Sequence, residues 1–457
     1  MADKAVSLRG EQTVLFTNRQ LVALMWPLLL EQFLAITVGL ADSLMVATVG
    51  DAAISAVSLV DSISNLMIYI FSAMATGGAA VAGQYIGQRQ KEDACHAGQQ
   101  LIALLAAVSV FFVALLYLFR AQILTVMFGH IEPDVMAATN TYYLYVMASI
   151  PGIALYNGGA ALWRTMGRSD ISLKVSLLMN GINVAGNAIL IFGFGMDVAG
   201  VAIPTLVSRT VAAAVILGML FNDKLTLHLS NVRAFRLDMR LMKNIFYIGV
   251  PSGVENGMFQ LGRLVLFSLI STFGTASMVA NAIGNTIANF NCFAGQAINL
   301  GLAAVVSQCV GAGEFDQARA YMKKIVKWTY GIMAVVNLTI IALLPLIMRV
   351  YNVSPEAEKL AVTVSLIHGI SSIFLWIPAF TIPSFLRAAG DAQFTMLASM
   401  TTMWLVRVLL AYVLGRYLGY AVVGVWFAHA ILDWLVRGSV FILRYRSGKW
   451  ESMGIKT

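Results

Sequence analysis

Cysteine, histidine, proline and charge are all scarce in this chain of 457 residues, which has three Cys, five His, nine Pro and only 11% charged residues. Each shortage excludes something. Cys95 falls in a loop between apolar runs, and Cys292 and Cys309 share one predicted helix, too far apart to bridge at 1.5 Å rise per residue. No disulfide framework and no zinc-ligand spacing is present. The histidines, His96, His130, His228, His368 and His429, are scattered and outline no metal or catalytic cluster. The one Gly-Lys pair, Gly448–Lys449, lacks the upstream glycine and the following Ser or Thr of a phosphate-binding loop. Neither H-E-x-x-H nor G-x-S-x-G occurs, so hydrolysis of ATP, ester or peptide has no recognisable machinery here, and the chain reads as a non-enzyme. A charge content of 11% is also less than half that of an ordinary soluble domain.

What the chain has instead is apolar length. Hydrophobic residues make up 59% of it and the mean hydropathy is +0.80. Stretches of the roughly 20 residues needed to cross a hydrocarbon core recur along it. They predict spans near 21–47, 53–83, 97–118, 136–157, 171–194, 199–221, 245–273, 277–307, 327–348, 357–382, 394–415 and 423–443. The fold class is therefore all-α, a polytopic membrane protein of about twelve helices, three of them long enough to tilt or protrude. The polar stretch before the first run has mixed charge and is read as carrying no cleavable signal.

The net charge of +8 does not imply a nucleic-acid partner, because its distribution follows topology. Of the 30 Lys and Arg, 22 fall on one side of the predicted spans. They include Lys4, Arg9 and Arg19, the run Lys224, Arg233, Arg236, Arg240 and Lys243, the group Arg319 to Lys327, and Arg444 to Lys456. Arg164 and Arg387 are counted there as loop residues. The opposite loops hold only Arg120, Arg349, Lys359 and Arg416, while Arg209, Arg263, Arg407 and Arg437 fall within spans. Such a bias predicts cytoplasmic N- and C-termini in a cytoplasmic (inner) membrane.

The chain contains a duplicate of itself. Displaced by 224 residues, 27–94 matches 251–318 without a gap: Pro27 falls on Pro251, Glu31 on Glu255, Gly50 on Gly274, Asn65 on Asn289 and Gln84 on Gln308. Arg164 and Gly167 match Arg387 and Gly390 at a displacement of 223. Two six-helix lobes are predicted, 1–222 and 245–457, joined by a cytoplasmic linker at 223–244. An even number of spans per half gives both the same orientation, a parallel repeat around a central cavity, as in some transporters.

Acids inside spans are costly, so those present are functional candidates. Four stand out: Glu31, Asp42, Asp61 and Glu255. Glu31 and Asp42 are 11 residues apart, a separation that returns a helix to nearly the same face, so both can line one cavity. Asn180, Asn183 and Asn187 form a polar stripe at i, i+3 and i+7 on the fifth span. Such a stripe glues helices by hydrogen bonds or, opposite an aspartate, forms a shell for a proton or cation. Asp61, four residues before Asn65, reads either as a self-satisfied pair or as a site residue. Glu31 and Glu255 follow Pro27 and Pro251, whose missing N–H frees backbone carbonyls.

Four segments resemble the multidrug and toxic compound extrusion (MATE) family: GLADSLMVATVGDAAISAVSL, ALWRTMGRSD, NVAGNAILIFGFGMDVAGVAIPT and LRAAGDAQFTM. The resemblance implies an ion-coupled antiporter that exports amphipathic or cationic organic compounds in exchange for H⁺ or Na⁺ by alternating access. It needs no cofactor beyond the coupling ion. Its partners are a small organic solute and membrane lipid, with no nucleic acid and a single chain as the working unit. By that resemblance Asp42 matches the family's first-helix acid, Asn183 and Thr205 match members of its cluster, and Asn187 stands where one branch has a second acid. Glu255 matches another branch's seventh-helix carboxylate, whose tenth-helix partner acid is replaced by Trp376. The expected ion-coupling set is Asp42, Asn183, Asn187 and Thr205, and the expected substrate or second ion site is Glu255, Glu31, Asn180 and Asp61. Na⁺ has a place at Asp42 with the two asparagines, or at Glu255. Two rivals are a lipid-linked oligosaccharide flippase of the same superfamily and, from another class, a membrane-embedded transferase.

Overall fold

A computed structural model describes residues 14–129, 132–229 and 237–455. Lys4, Arg9, His130, Arg233, Arg236 and Lys456 lie outside the described residues. Within them the chain is helical, without strands.

Twelve long helical segments follow one another, with a short helix, Arg120–Phe128, between the third and the fourth. The first six are α1 (Asn18–Ala47), α2 (Asp51–Gly87), α3 (Lys91–Leu118), α4 (Pro133–Ala148 continued by Ile150–Thr165), α5 (Ser169–Gly193) and α6 (Ala199–Phe221). The second six are α7 (Met239–Ser271), α8 (Thr275–Gly311), α9 (Phe315–Tyr351), α10 (355–388), α11 (Ala392–Tyr417) and α12 (Ala421–Arg446). Ten of these helices are long and apolar enough to cross a membrane. The other two are α4, interrupted at Ser149 just before Pro151, and α7, which carries Glu255 and Arg263 in its length. Three helices, α2, α8 and α9, reach 37 residues each, about 55 Å at 1.5 Å per residue and well beyond a hydrocarbon core. Large apolar side chains face outward on them and their neighbours: Leu44 and Leu118 are each 71% exposed and Val350 80%. In water such a surface would associate, whereas against acyl chains it costs nothing.

The chain folds as two compact units, Val22–Gly253 and Val254–Thr457, the latter joined by residues up to Leu21. In the first unit α2 packs against α3 and α4, α4 against α6, and α5 against α6. Leu101, Leu105, Leu162 and Ile216 are fully buried in it. Pro27 offers no N–H to the turn behind it, and the Ser169 hydroxyl donates to that turn at Leu24 O, 2.6 Å away. In the second unit α8 packs against α9 and α10, and α10 against α12. Residues 15–18 belong to this unit: Leu15 N donates to Gln317 Oε1 at 3.0 Å, Phe16 N to Tyr321 Oη at 2.9 Å, and Lys324 bonds Asn18.

The repeat is visible in the backbone. Gly50 and Gly274 both begin a helix at positive φ, +134° and +91°, and Gly195 and Gly419 share a left-handed turn at +61° and +76°. A side chain would be strained at each. The last pair restores the displacement of 224 after the 223 at Gly167 and Gly390, and the wide π turn Thr402–Val408 lies between them, where an extra residue is taken up.

Candidate ion-coupling site

Local sequence brings α5 and α6 unusually close. Gly186 faces Pro204: a Cβ added there would lie 2.8 Å from Pro204 Cβ. That approach puts the Asn183 and Asn187 side of α5 beside Thr205. Asn187 Nδ2 donates to Asp42 Oδ1 at 3.0 Å. With its nitrogen turned to the acid, the Asn183 amide donates to both Asp42 oxygens at 2.9 and 3.1 Å, and its oxygen accepts from Thr205 Oγ1 at 3.2 Å. The same 3.2 Å contact serves the opposite orientation, in which Nδ2 donates to Thr205 and the amide oxygen faces the carboxylate. Asn187 Oδ1 is buried with no hydrogen-bond partner. Asp42, Asn183, Asn187 and Thr205 are thus one cluster, with amides arranged for an anion and neutral oxygens within reach. Asn180, half-buried one turn away, makes no hydrogen bond to Asp42.

A second layer adjoins it. Asp61 and Arg209 are the electrostatic neighbours of Asp42. Tyr142 donates to Asp61 Oδ1 at 3.3 Å, so the partner of Asp61 is across the helix interface and not Asn65 on its own helix. Arg209 Nη1 donates to Ser149 Oγ at 2.8 Å, at the break in α4. Gly152 allows this approach, since a Cβ there would sit 3.1 Å from the Arg209 backbone. Sequence reading assigned neither Tyr142 nor Arg209 to the site. The available signal for Arg209 was a cation in a span with no local acid. Counted formally, Asp42, Asp61 and Arg209 leave the layer with one net negative charge.

Glu31 is elsewhere. It accepts from Tyr156 Oη at 3.2 Å and Ser172 Oγ at 2.9 Å, apart from the Asp42 cluster, since eleven residues are about 16 Å along a helix. The expectation that both acids line one cavity used the angular period and overlooked that rise. Glu255 is held by Arg387 Nη1, 3.1 Å from each carboxylate oxygen, and by Ser399 Oγ at 2.7 Å. Arg164 and Arg387 close the helices that carry them, so they are helix residues and not loop cations. Where a tenth-helix acid was sought, Trp376 is 3% exposed and stacks on Phe380 at 5.2 Å between centroids. Among the described residues no group of three or more His, Cys, Asp or Glu is arranged to hold a metal ion.

The model of the MatE family matches the chain twice, over residues 27–189 and 251–413, the second match displaced from the first by the same 224 residues. The chain belongs to the MATE family. It is a multidrug and toxin efflux transporter by family and an integral membrane protein, with the fold of twelve membrane helices in two repeated halves. It is 29% identical to the uncharacterized transporter YisQ of Bacillus subtilis, with 95% of each chain covered. It is 23% identical to the probable multidrug resistance protein NorM of Thermotoga maritima, over 96% of this chain and 94% of that one. A mutant of the Vibrio cholerae MATE transporter VcmN superposes with a TM-score of 0.86 at 20% identity, covering 95% of this chain and 98% of that one. Membership sets aside the transferase and the flippase: MATE proteins are transporters, not enzymes, and need no cofactor.

Proposed function

We propose that this transporter exports amphipathic or cationic organic compounds across the cytoplasmic membrane, and that the exchange is driven by H⁺ loading at Asp42. The observation that supports this reading is the Asp42 carboxylate capped by Asn183 and Asn187, in a layer with one net negative charge. One proton cancels that charge. Buried carboxylates favour the neutral form, while amide donors favour the anion, so the two are balanced against each other. Protonation gives Asp42 a donor, and the amide that faces it then turns its oxygen inward. Both orientations of Asn183 satisfy Thr205, so the turn needs no helix movement. The amide pair thereby converts occupancy of one carboxyl into a change of hydrogen-bond direction between α1 and α5, a two-state element that alternating access can use.

Na⁺ is the second reading, favoured by one observation: Asn187 Oδ1 is buried without a partner, in the cluster that also holds the Thr205 hydroxyl and the Asn183 amide oxygen, all neutral oxygen ligands. Glu255 and Glu31, each in its own polar cluster, belong to this proposal as residues of substrate passage. The charge bias supports a cytoplasmic side for both termini and the loop near 224–243. The test is efflux from proteoliposomes with pH and Na⁺ gradients imposed separately. Efflux driven by the pH gradient alone supports the proton reading, and efflux driven only by Na⁺ replaces it. Thiol labelling from outside should reach single cysteines near 352–358 and miss those near 224–229; the reverse pattern overturns the orientation.

A further inference from the structure

The displacement of 224 that relates the halves carries Asn183 onto Arg407, Thr205 onto His429, Arg209 onto Asp433, Asp61 onto Asn285 and Asp42 onto Leu266. Every charge of the first-half layer is removed or reversed in the second. The resulting cluster lies within the second unit. Arg407, in the wide turn of α11, is 4% exposed, and its Nε and Nη1 are buried with no acceptor. One face of its guanidinium rests over Phe259, 5.2 Å from the ring centroid. Arg437 is otherwise engaged: it donates to Thr402 Oγ1 at 3.2 Å and Ser399 O at 3.3 Å, faces Asp433 at 3.6 Å and covers Phe259 at 4.4 Å. Arg263, one turn before Leu266 on α7, reaches Asn285 Oδ1 at 3.4 Å. Arg437 and Arg407 thus share one buried acid, Asp433, while Arg263 is exposed beside Asn285, and over the three arginines a formal surplus of two positive charges remains.

A buried guanidinium with two idle donors is expensive, because each donor loses its water without gaining an acceptor. We infer that the Arg407 cluster of the second half is a binding site for an anionic group, the carboxylate or phosphate of an amphipathic solute, seated where the first half seats its cation. Arg407 presents the planar fork that pairs with such oxyanions in two parallel hydrogen bonds. Aromatic rings border the fork. His429 lies 5.6 Å from Trp426 and 5.5 Å from Trp434 between centroids, and Phe259 backs the guanidinium. His368 belongs to the same wall, 5.8 Å from His429 between centroids, with its Nδ1 3.1 Å from Asn291 Nδ2. The site therefore suits an aryl or alkyl acid or a zwitterion better than a bare inorganic ion. The inference names a substrate chemistry for the transport reading above, yet its test needs no transport.

The experiment is equilibrium binding to the full chain in nanodiscs of neutral lipid, with benzoate, benzamide and inorganic phosphate as probes. Benzoate is expected to bind and neutral benzamide to bind at least about tenfold more weakly, the scale of a charge-assisted pair. Arg407→Gln should weaken benzoate by a similar factor while leaving the protein as stable as before or more so, since a surplus buried charge is gone. Asp433→Asn removes the competing carboxylate and should tighten benzoate several-fold. Phosphate that binds as tightly as benzoate would keep the anion site and assign it to an inorganic oxyanion. Equal binding of benzoate and benzamide, benzoate binding unaffected by Arg407→Gln, or weakening by Asp433→Asn in a folded protein would each overturn the inference. None of these outcomes bears on Asp42, so failure here is distinguishable from failure of the proton reading.

Discussion

The two halves keep the same turns and the same glutamate after the same proline, but they spend their buried charge in opposite ways. Glu255 is closed into an ion pair with Arg387, whereas no ion pair joins Glu31 to the matching Arg164, and two hydroxyls hold Glu31 instead. Further along, where the first half has the acids and amides around Asp42, the second half has the arginines around Arg407 at the matching positions. Duplication preserved what the backbone needs, the positive-φ glycines and the helix register. Side chains inside the spans were free to diverge because each buried charge answers only to its few neighbours. Symmetry of fold is therefore no guide to symmetry of task.

The sharpest way to break this comparison is at Asp42. Asp42→Asn keeps shape and hydrogen-bond capacity but removes titration, so gradient-driven efflux in proteoliposomes should fall to the level of protein-free vesicles while the melting temperature in detergent stays within a few degrees. Normal efflux by that variant would move the coupling site to the other half. The next effect concerns the repeated glutamates. Glu255→Gln breaks the Arg387 pair, half of which is buried, and should cost about 2 kcal/mol of stability and reduce efflux several-fold. Glu31→Gln retains an acceptor for Tyr156 and Ser172 and should cost about 1 kcal/mol or less in the same unfolding assay. Equal losses would mean that the Arg387 ion pair carries no special weight.

Within α5 the pairing of Gly186 with Pro204 can be tested against a neighbour. Gly186→Ala must push α6 away and should cost about 1–3 kcal/mol with impaired coupling, whereas Gly181→Ala meets nothing within 4 Å and should be neutral or stabilising. Thermal denaturation of the two variants side by side decides it. The smallest expected effect is that of Thr205→Val. If a proton is the coupling ion, loss of one hydroxyl should change the initial rate of pH-driven efflux by no more than about twofold. A loss many times larger, together with Na⁺-driven efflux, would make Thr205 a cation ligand, because a bare cation needs every oxygen that a proton does not.

The spans, the repeat and the Asp42 cluster were legible because each is written as periodicity: apolar runs of membrane length, a fixed displacement of 224, and a stripe of asparagines at i, i+3 and i+7, the last two of which face Asp42. Thr205 joined the cluster only through family resemblance. Asp61 illustrates the limit. Asn65 was the obvious partner along the helix, but Tyr142, 81 residues away, is the real one, and tertiary contact of that kind leaves no trace in local spacing. Arg387 was read as a loop cation for the same reason: its acid is 132 residues earlier. The arginine cluster went unread although a signal existed, in the i, i+4 spacing of Asp433 and Arg437 and in the match of Asp433 to Arg209.

The single net negative charge of the layer formed by Asp42, Asp61 and Arg209 has an electrical corollary. A site that is neutral with one cation aboard and singly charged without it carries one elementary charge per passage. Exchange of that ion for a monovalent organic cation moves no net charge and is indifferent to membrane voltage. Exchange for a neutral zwitterion moves one charge inward, and exchange for a carboxylate moves two. Each is worth about 2.3 kcal/mol per 100 mV. The charge of the cargo, rather than any change in the protein, would then decide whether the voltage across the membrane powers its exit, and an anionic solute would be concentrated outward the most steeply.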